Sequence, residues 1–323
     1  MNLADIYINY KEDIKTIERE LEKNVQTANP ILEDASVHLL RAGGKRIRPV
    51  FVLLAAKFGE YDIEKLKHIA VPLELIHMGS LVHDDVIDDA ELRRGEKTVK
   101  SQWDNRVAMY TGDFIFGKAV ETSAIFVNPS IHEIMSNAMV EICLGEIEQI
   151  RDQYNWEQNM RHYLRRIKRK TALLIAISSQ LGAIASKADP DVQKQLYWFG
   201  YYVGMSFQIT DDILDFIGTE KQLGKPAGGD LLQGNVTLPA LYALTKKPQL
   251  KAELNDFFNG SNQDKEHFHK FLEVIKRSGG IEYATKMSDL YLKKAFERLD
   301  LLPNIKAKQH LSDIATYIGR RKF

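Results

Sequence analysis

The chain has 323 residues, 44% of them hydrophobic and 27% charged, and its 44 acidic and 44 basic side chains cancel to a formal net charge of zero. That length buries a large core, and the neutral balance removes the global positive field with which a nucleic-acid binder collects phosphates. The single cysteine, Cys143, excludes an internal disulfide and fits a reducing compartment, and its apolar neighbours Ile142 and Leu144 predict a buried, inert thiol.

Residues 3–25 carry charges throughout, so no secretory signal is read there, and the expectation is a cytoplasmic protein without a membrane span. Helical periodicity then runs along nearly the whole chain. Helices are predicted over 3–27, 31–42, 49–58, 62–85, 101–126, 130–152, 157–185 and 190–217, then over 236–246, 248–259, 264–277, 280–301 and 304–321. Breakers separate them: Pro30, Gly43-Gly44, Asn128-Pro129, Asp189-Pro190 and the stretch 224–234. Strand signals are nearly absent. The expected fold is all-α, a single-domain bundle of about 10–13 helices around a central apolar cavity, with residues 1–323 as one domain.

Gly43-Gly44-Lys45-Arg46-Ile47-Arg48-Pro49 is a glycine turn followed by three cations. Glycine lets the backbone approach a ligand, and Pro49 suits the first turn of the next helix. Lys45 and Arg48 can converge on one anion. Taken alone, the segment has a second, lesser reading as a solvated basic turn.

Helix 62–85 ends in Asp84-Asp85-Val86-Ile87-Asp88-Asp89, and helix 190–217 ends in Asp211-Asp212-Ile213-Leu214-Asp215. Residues four apart share a helix face, so Asp84 pairs with Asp88 and Asp211 with Asp215. Carboxylates crowded at a helix C-terminus oppose one another and the macrodipole unless a cation binds. Hard oxygen ligands suit Mg²⁺, which keeps several waters and completes its shell with a substrate phosphate. Two such helices facing across a cavity imply metal and a phosphorylated ligand.

Basic and polar residues complete the pattern. Arg93-Arg94-Gly95 follows the first cluster, placed for salt bridges or for a diphosphate. In the run 165–170 most side chains read as a solvated face, while Lys170, followed by Thr171 and an apolar segment, reads inward. Gln208 lies one turn before the second cluster, and Lys225 follows it. His77 and His83 lack a zinc-like spacing.

In order, G-G-K-R-I-R-P, H-x5-H-D-D-x-x-D, R-R-G, K-T, F-Q-x-x-D-D-x-x-D and G-K-P-x-G-x-D-L resemble the trans-prenyl diphosphate synthases over residues 38–240. The resemblance is nearest to the long-chain branch whose catalytic subunit works with a small helical partner and makes the heptaprenyl precursor of the menaquinone side chain. It implies Mg²⁺, more than one ion, at Asp84, Asp88 and Asp211, with Asp215 in the same set and Asp85 and Asp212 supporting. It assigns Lys45, Arg48, His77 and Arg94 to isopentenyl diphosphate. Arg93, Lys170 and Lys225 go to the allylic diphosphate, expected to be farnesyl diphosphate, and Thr171 and Gln208 to the reacting centre. Gly79 and Ser80 would leave a product tunnel open, with its floor near Met135 and Met139, or would serve close helix packing instead. Family members commonly carry a lysine where this chain has Asn235, so the site lacks one positive charge. A heterodimer with a small non-catalytic subunit is implied, with a homodimer as the generic expectation.

The implied chemistry is loss of diphosphate from an allylic carbon, attack on the cation by the isopentenyl double bond, and proton loss to the departing diphosphate. Two other readings compete. A terpene cyclase or head-to-head synthase shares aspartate-rich helices but has no need of G-G-K-R-I-R-P. A non-catalytic helical interaction subunit has no need of intact Asp and Arg motifs.

Overall fold

A computed structural model describes residues 3–218, 227–260 and 264–319. The elements in chain order are α1 (Leu3–Asn9), α2 (Lys11–Asn24), α3 (Pro30–Arg41), α4 (Ile47–Ala56), α5 (Ile63–Ile87), β1 (Leu92–Arg93), β2 (Glu96–Lys97), α6 (Val99–Gln102), α7 (Asn105–Ser123), α8 (Pro129–Asp152) and α9 (Met160–Ile167). A π-helical turn (Lys168–Ala172) leads into α10 (Leu173–Ala185) and α11 (Pro190–Ile217). Beyond these lie α12 (Gly229–Leu232), α13 (Leu238–Lys246), α14 (Gln249–Asn259), α15 (Lys265–Lys276), α16 (Gly280–Asp300) and α17 (Lys306–Gly319).

The breakers act as caps. Asn29 accepts hydrogen bonds from the Ile31 and Leu32 N–H groups, Asn128 from Ser130, and Asp189 from Asp191, each just ahead of a proline that begins its helix. Several details differ from expectation, among them the division of helix 101–126 between α6 and α7 and the short α12 inside the stretch 224–234. Helix 3–27 breaks at Tyr10, whose side chain turns inward to His310 at 3.2 Å. Helix 157–185 starts later and widens at the π turn. A two-residue antiparallel hairpin pairs Leu92 with Lys97 and Arg93 with Glu96. Its turn residues Arg94 (φ 56) and Gly95 (φ 84) both take positive φ, the pattern that matches strand twist. Strands this short leave no alternating run to read.

Helices α5 and α11 run through the interior. The first packs on α2, α4, α7 and α10, and the second on α10, α16 and α17. Over Ile69–Ile76 every side chain of α5 is buried, as expected of a helix enclosed on all sides. Phe51, Leu54, Leu73 and Phe199 are fully buried in the main core, and each contributes roughly 1.5–3 kcal/mol through burial. Gly204 of α11 sits so close to the π turn that a Cβ there would lie 2.5 Å from Ala172 Cα. Gly204→Val would push the two apart, and with them the residues described next.

Cys143 is exposed, contrary to expectation. Ile142 faces the core at 4% exposure while Leu144 is 45% exposed. Chain neighbours lie on different faces of a helix, so they do not report burial. Among the described residues no helix is long and apolar enough to cross a membrane.

Candidate active site

Helix α5 stops at its aspartates. The Asp88 N–H donates to the Asp84 carbonyl at 2.8 Å. Asp89 then enters the left-handed region at φ 51, where Lys100 clamps it and also meets Glu91 at 3.2 Å. The aspartates separate into two roles. Asp85 accepts Arg93 Nε at 2.8 Å and Nη2 at 2.6 Å on one oxygen. Asp84 faces Lys170 Nζ at 3.5 Å through Oδ2. Asp84 Oδ1 and Asp88 Oδ1 are buried with no hydrogen-bond partner. Buried oxygens one turn apart without donors fit a cation. Burial raises the Asp88 carboxyl pKa, Lys170 opposes the rise and Asp84 adds to it. For Asp85 burial also raises the pKa, and Arg93 opposes it.

Across the cavity stands the π turn, a bulge often found at functional sites. Its Thr171 hydroxyl donates to Gln208 Oε1 at 2.6 Å. Gln208 Nε2 donates to Asp212 Oδ1 at 2.8 Å, and the buried Tyr163 hydroxyl donates to Asp212 Oδ2 at 2.7 Å. Burial pushes the Asp212 carboxyl up to about 7, with Asp230 adding to the rise and the two hydrogen bonds opposing it. Lys170 donates to Gln149 at 3.1 Å and faces Glu146 at 3.5 Å. Burial alone would lower the ammonium pKa, but Asp84, Glu146 and Asp88 more than reverse that. Glu146 is driven upward by burial and by Asp84, against the pull of Lys170. Asp215 accepts the Asp230 N–H at 3.1 Å, and its own carbonyl accepts Gly228 N–H at 2.7 Å.

Between the clusters lies a cavity of about 540 Å³. Asp84, Asp88, Arg93, Arg94, Lys170, Gln208, Asp212 and Asn235 all line it. Among the described residues no three His, Cys, Asp or Glu side chains converge as a ready-made metal cage.

A second, smaller basic pocket adjoins it. Arg46, at φ 45, starts α4 and donates to Glu74 Oε1 at 3.2 Å and to the Leu40 carbonyl at 3.3 Å. Arg94 donates to the Gly43 carbonyl. A Cβ on Gly44 would meet the Arg94 guanidinium at 3.0 Å, so glycine lets the arginine lie on the turn. His77 lines the same pocket. Burial, followed by Arg48 and Arg94, holds its imidazole pKa well below the usual value. Burial lowers Arg48 to about 10, with Glu74 opposing.

Most of the expected residues therefore gather at one place, with Thr171 and Asp85 just behind the lining. Asp211 is half-buried. Lys45 is exposed and lines neither cavity, and the Arg48 Nε is enclosed with no partner. Gly79 lies against α7, where a Cβ would sit 3.2 Å from the Gly112 carbonyl and 3.4 Å from the Phe116 ring. Ser80 donates to the His77 carbonyl of its own helix at 2.9 Å. Met135 is buried in the main core, with Met139 half-buried beside it. Lys225 lies outside the described residues.

Sequence reasoning passed over Arg166, Gln149, Asp230 and Tyr163. Arg166 was expected on a solvated face. It is 7% exposed and donates to Gln158 at 2.7 Å and to the Val236 carbonyl at 2.5 Å. Its signal was available, because Arg166 lies four residues before Lys170 and so shares its face. Asp230 sits inside G-K-P-x-G-x-D-L, whereas Tyr163 carries no mark beyond apolar periodicity.

Residues 29–275 match the sequence profile of the polyprenyl synthetase family. The chain belongs to that family. It is 60% identical over 323 residues, all of this chain and 92% of the relative, to heptaprenyl diphosphate synthase component 2 of Bacillus subtilis (strain 168). Its fold is similar to the heptaprenyl diphosphate synthase structure from Staphylococcus aureus, with a TM-score of 0.91, 41% identity, and coverage of 100% of this chain and 99% of that one. A polyprenyl synthase from Caulobacter crescentus CB15, complexed with calcium and isoprenyl diphosphate, gives a TM-score of 0.93 at 29% identity over 100% of this chain and 98% of that one. As a polyprenyl synthetase the chain is a prenyltransferase that elongates trans-prenyl chains.

Proposed function

We propose that this chain is the catalytic component of a heptaprenyl diphosphate synthase that condenses isopentenyl diphosphate head-to-tail onto an allylic diphosphate, beginning with farnesyl diphosphate. The observation that carries the reading is the pair of adjoining anion-binding pockets, one with Asp84, Asp88, Arg93 and Lys170, the other with Arg94 and His77. Two pockets suit two diphosphates, one that leaves and one that stays.

The partnerless oxygens of Asp84 and Asp88 would hold Mg²⁺, and from the opposite helix the second cluster would add carboxylates, with Asp212 in the cavity lining and Asp211 and Asp215 beside it. When bound, Mg²⁺ supplies charge neutralisation to the departing diphosphate. Arg93 and Lys170, with Lys225, hold the allylic diphosphate and stabilise its charge as the bond breaks. Arg94 and His77, with Arg48 and Lys45 on the turn outside the lining, would hold isopentenyl diphosphate. Thr171 and Gln208 border the reacting carbons, and the Gln208–Asp212–Tyr163 chain fixes their orientation. The reaction requires that water be kept from the cation until the isopentenyl double bond attacks it.

The shared cavity between α5 and α11 supports one domain over residues 1–323. A small non-catalytic partner subunit is proposed from the component naming of the relatives, in place of a homodimer, and the product would serve menaquinone synthesis in the cytoplasm. In the test, the purified chain is given farnesyl and isopentenyl diphosphates and Mg²⁺, with and without the partner component. Heptaprenyl diphosphate is expected, formed well only with the partner. Cyclised or head-to-head products, or no diphosphate release, would overturn the reading. In the same assay Ser80→Phe should shorten the product, and an unchanged product from an active variant removes Ser80 from the tunnel.

A further inference from the structure

Glu74 lies on α5, the helix that carries Asp84, and is 3% exposed. A carboxylate buried this deeply costs several kcal/mol unless it is paired. Its Oε1 accepts Arg46 Nη1 at 3.2 Å, while its Oε2 is enclosed with no hydrogen-bond partner. Both members of the pair are interior, the side chains being 4% and 9% exposed. Glu74 also forms part of the wall of the small basic pocket, with His77, Arg93 and Arg94. Its negative charge opposes the lowering of the Arg48 and Arg94 pKa values that burial causes.

Arg46 matters for its backbone as much as for its charge. It is a non-glycine residue at φ 45, and its carbonyl accepts the Val50 N–H at 3.2 Å to open α4. Such a conformation is strained for a residue with a Cβ and persists where surrounding contacts fix it. Here those contacts are Glu74 and the Leu40 carbonyl, with the half-exposed Glu18 carboxylate farther off at 3.9 Å. The held residue sits between Lys45 and Arg48, so its anchoring sets where both begin.

We propose that Glu74 is a positioning residue: through Arg46 it fixes the turn that carries Lys45 and Arg48. This rests on the reading of the small pocket as the isopentenyl diphosphate site.

Glu74→Gln keeps the shape and the Oε1 acceptor and removes the charge. Steady-state kinetics of the first condensation, with Mg²⁺ and the partner component present, test it. The KM for isopentenyl diphosphate is expected to rise roughly 10-fold or more, the scale of a lost charged hydrogen bond. The KM for the allylic diphosphate, and kcat at saturation, should change little. An unchanged isopentenyl diphosphate KM, or an equal rise in both KM values, overturns the inference. If Glu74→Gln does not fold, Arg46→Gln/Glu74→Gln replaces the ion pair with a neutral amide pair, a change often close to neutral in stability. The same selective KM rise is expected there, and wild-type KM values would refute the role. Should wild type itself consume no isopentenyl diphosphate, the functional reading falls and this inference with it. Wild-type turnover with an unselective variant sinks this inference alone.

Discussion

The two aspartate-rich helix ends have the same D-D-x-x-D spacing and different surroundings. At the end of α5 the first and last aspartates of the motif line the cavity with partnerless oxygens, and the second, Asp85, is tied to Arg93. On α11 it is the second aspartate, Asp212, that lines the cavity, held between Gln208 and Tyr163. The last, Asp215, is joined to the loop backbone at Gly228 and Asp230. A step of one residue rotates a side chain by about 100° around the helix. The motif therefore specifies which residues share a face, and the neighbours decide which face meets the ligand.

The largest expected effect tests whether both clusters serve the chemistry. Asp84→Ala and Asp211→Ala should each lower kcat by about 10²–10³-fold at saturating Mg²⁺, the scale of removing one preorganised electrostatic group, with circular dichroism unchanged. Near-normal turnover in Asp84→Ala would break the account of the first cluster, and the same result in Asp211→Ala would leave Asp212 as the working carboxylate of the second.

Tyr163→Phe sharpens the contrast, because it touches Asp212 alone among the aspartates. Loss of an orienting partner to a metal-binding group typically costs 10–100-fold, so the Mg²⁺ concentration for half-activity should rise by about 10-fold. An unchanged Mg²⁺ dependence would mean that Asp212 needs no orientation.

The arginine pair comes next. Arg94→Ala should weaken isopentenyl diphosphate binding more than allylic binding, and Arg93→Ala should do the reverse, each by severalfold in KM. The two already diverge, Arg93 to Asp85 and Arg94 to the Gly43 carbonyl. Equal effects on both substrates would erase the distinction between the pockets.

The smallest effect comes from outside both clusters and sets the background for reading the others. Burial, followed by Lys306, holds the His310 pKa below its usual 6.5. A lowered folded-state pKa means the unfolded chain binds the extra proton. This contribution is therefore intact above the unfolded value and is lost as pH falls below it. Between about pH 7.5 and 5.5 the Tm of wild type should fall further than that of His310→Asn, by roughly 2 °C. Parallel falls would assign the acid sensitivity to groups other than His310.

Much of the scaffold was readable because its causes are local. Asn29-Pro30, Asn128-Pro129 and Asp189-Pro190 cap and start helices with their own side chains and rings. The acidic helix ends followed from spacing, as did the inward turn of Lys170. The hairpin escaped notice because two-residue strands leave no alternation, although its Arg94-Gly95 turn is set by positive φ. Arg166 was misplaced because a run of cations looks solvated until i, i+4 spacing is applied within it, and Cys143 because its neighbours were read without helix rotation.

The sequence by itself determined most of the helices, the capped starts at Pro30, Pro129 and Pro190, the two carboxylate faces and the order of the cationic motifs, since period, capping and charge act within a few residues. Only the tertiary structure decided that Asp212 rather than Asp215 meets the cavity, that Tyr163 orients it, and that Glu74 pairs with Arg46 in the wall of the small pocket. Those outcomes depend on how far Gly204 lets α11 approach the π turn and how α4 sits against α5. Such inter-helix distances are set by packing between residues far apart in the chain.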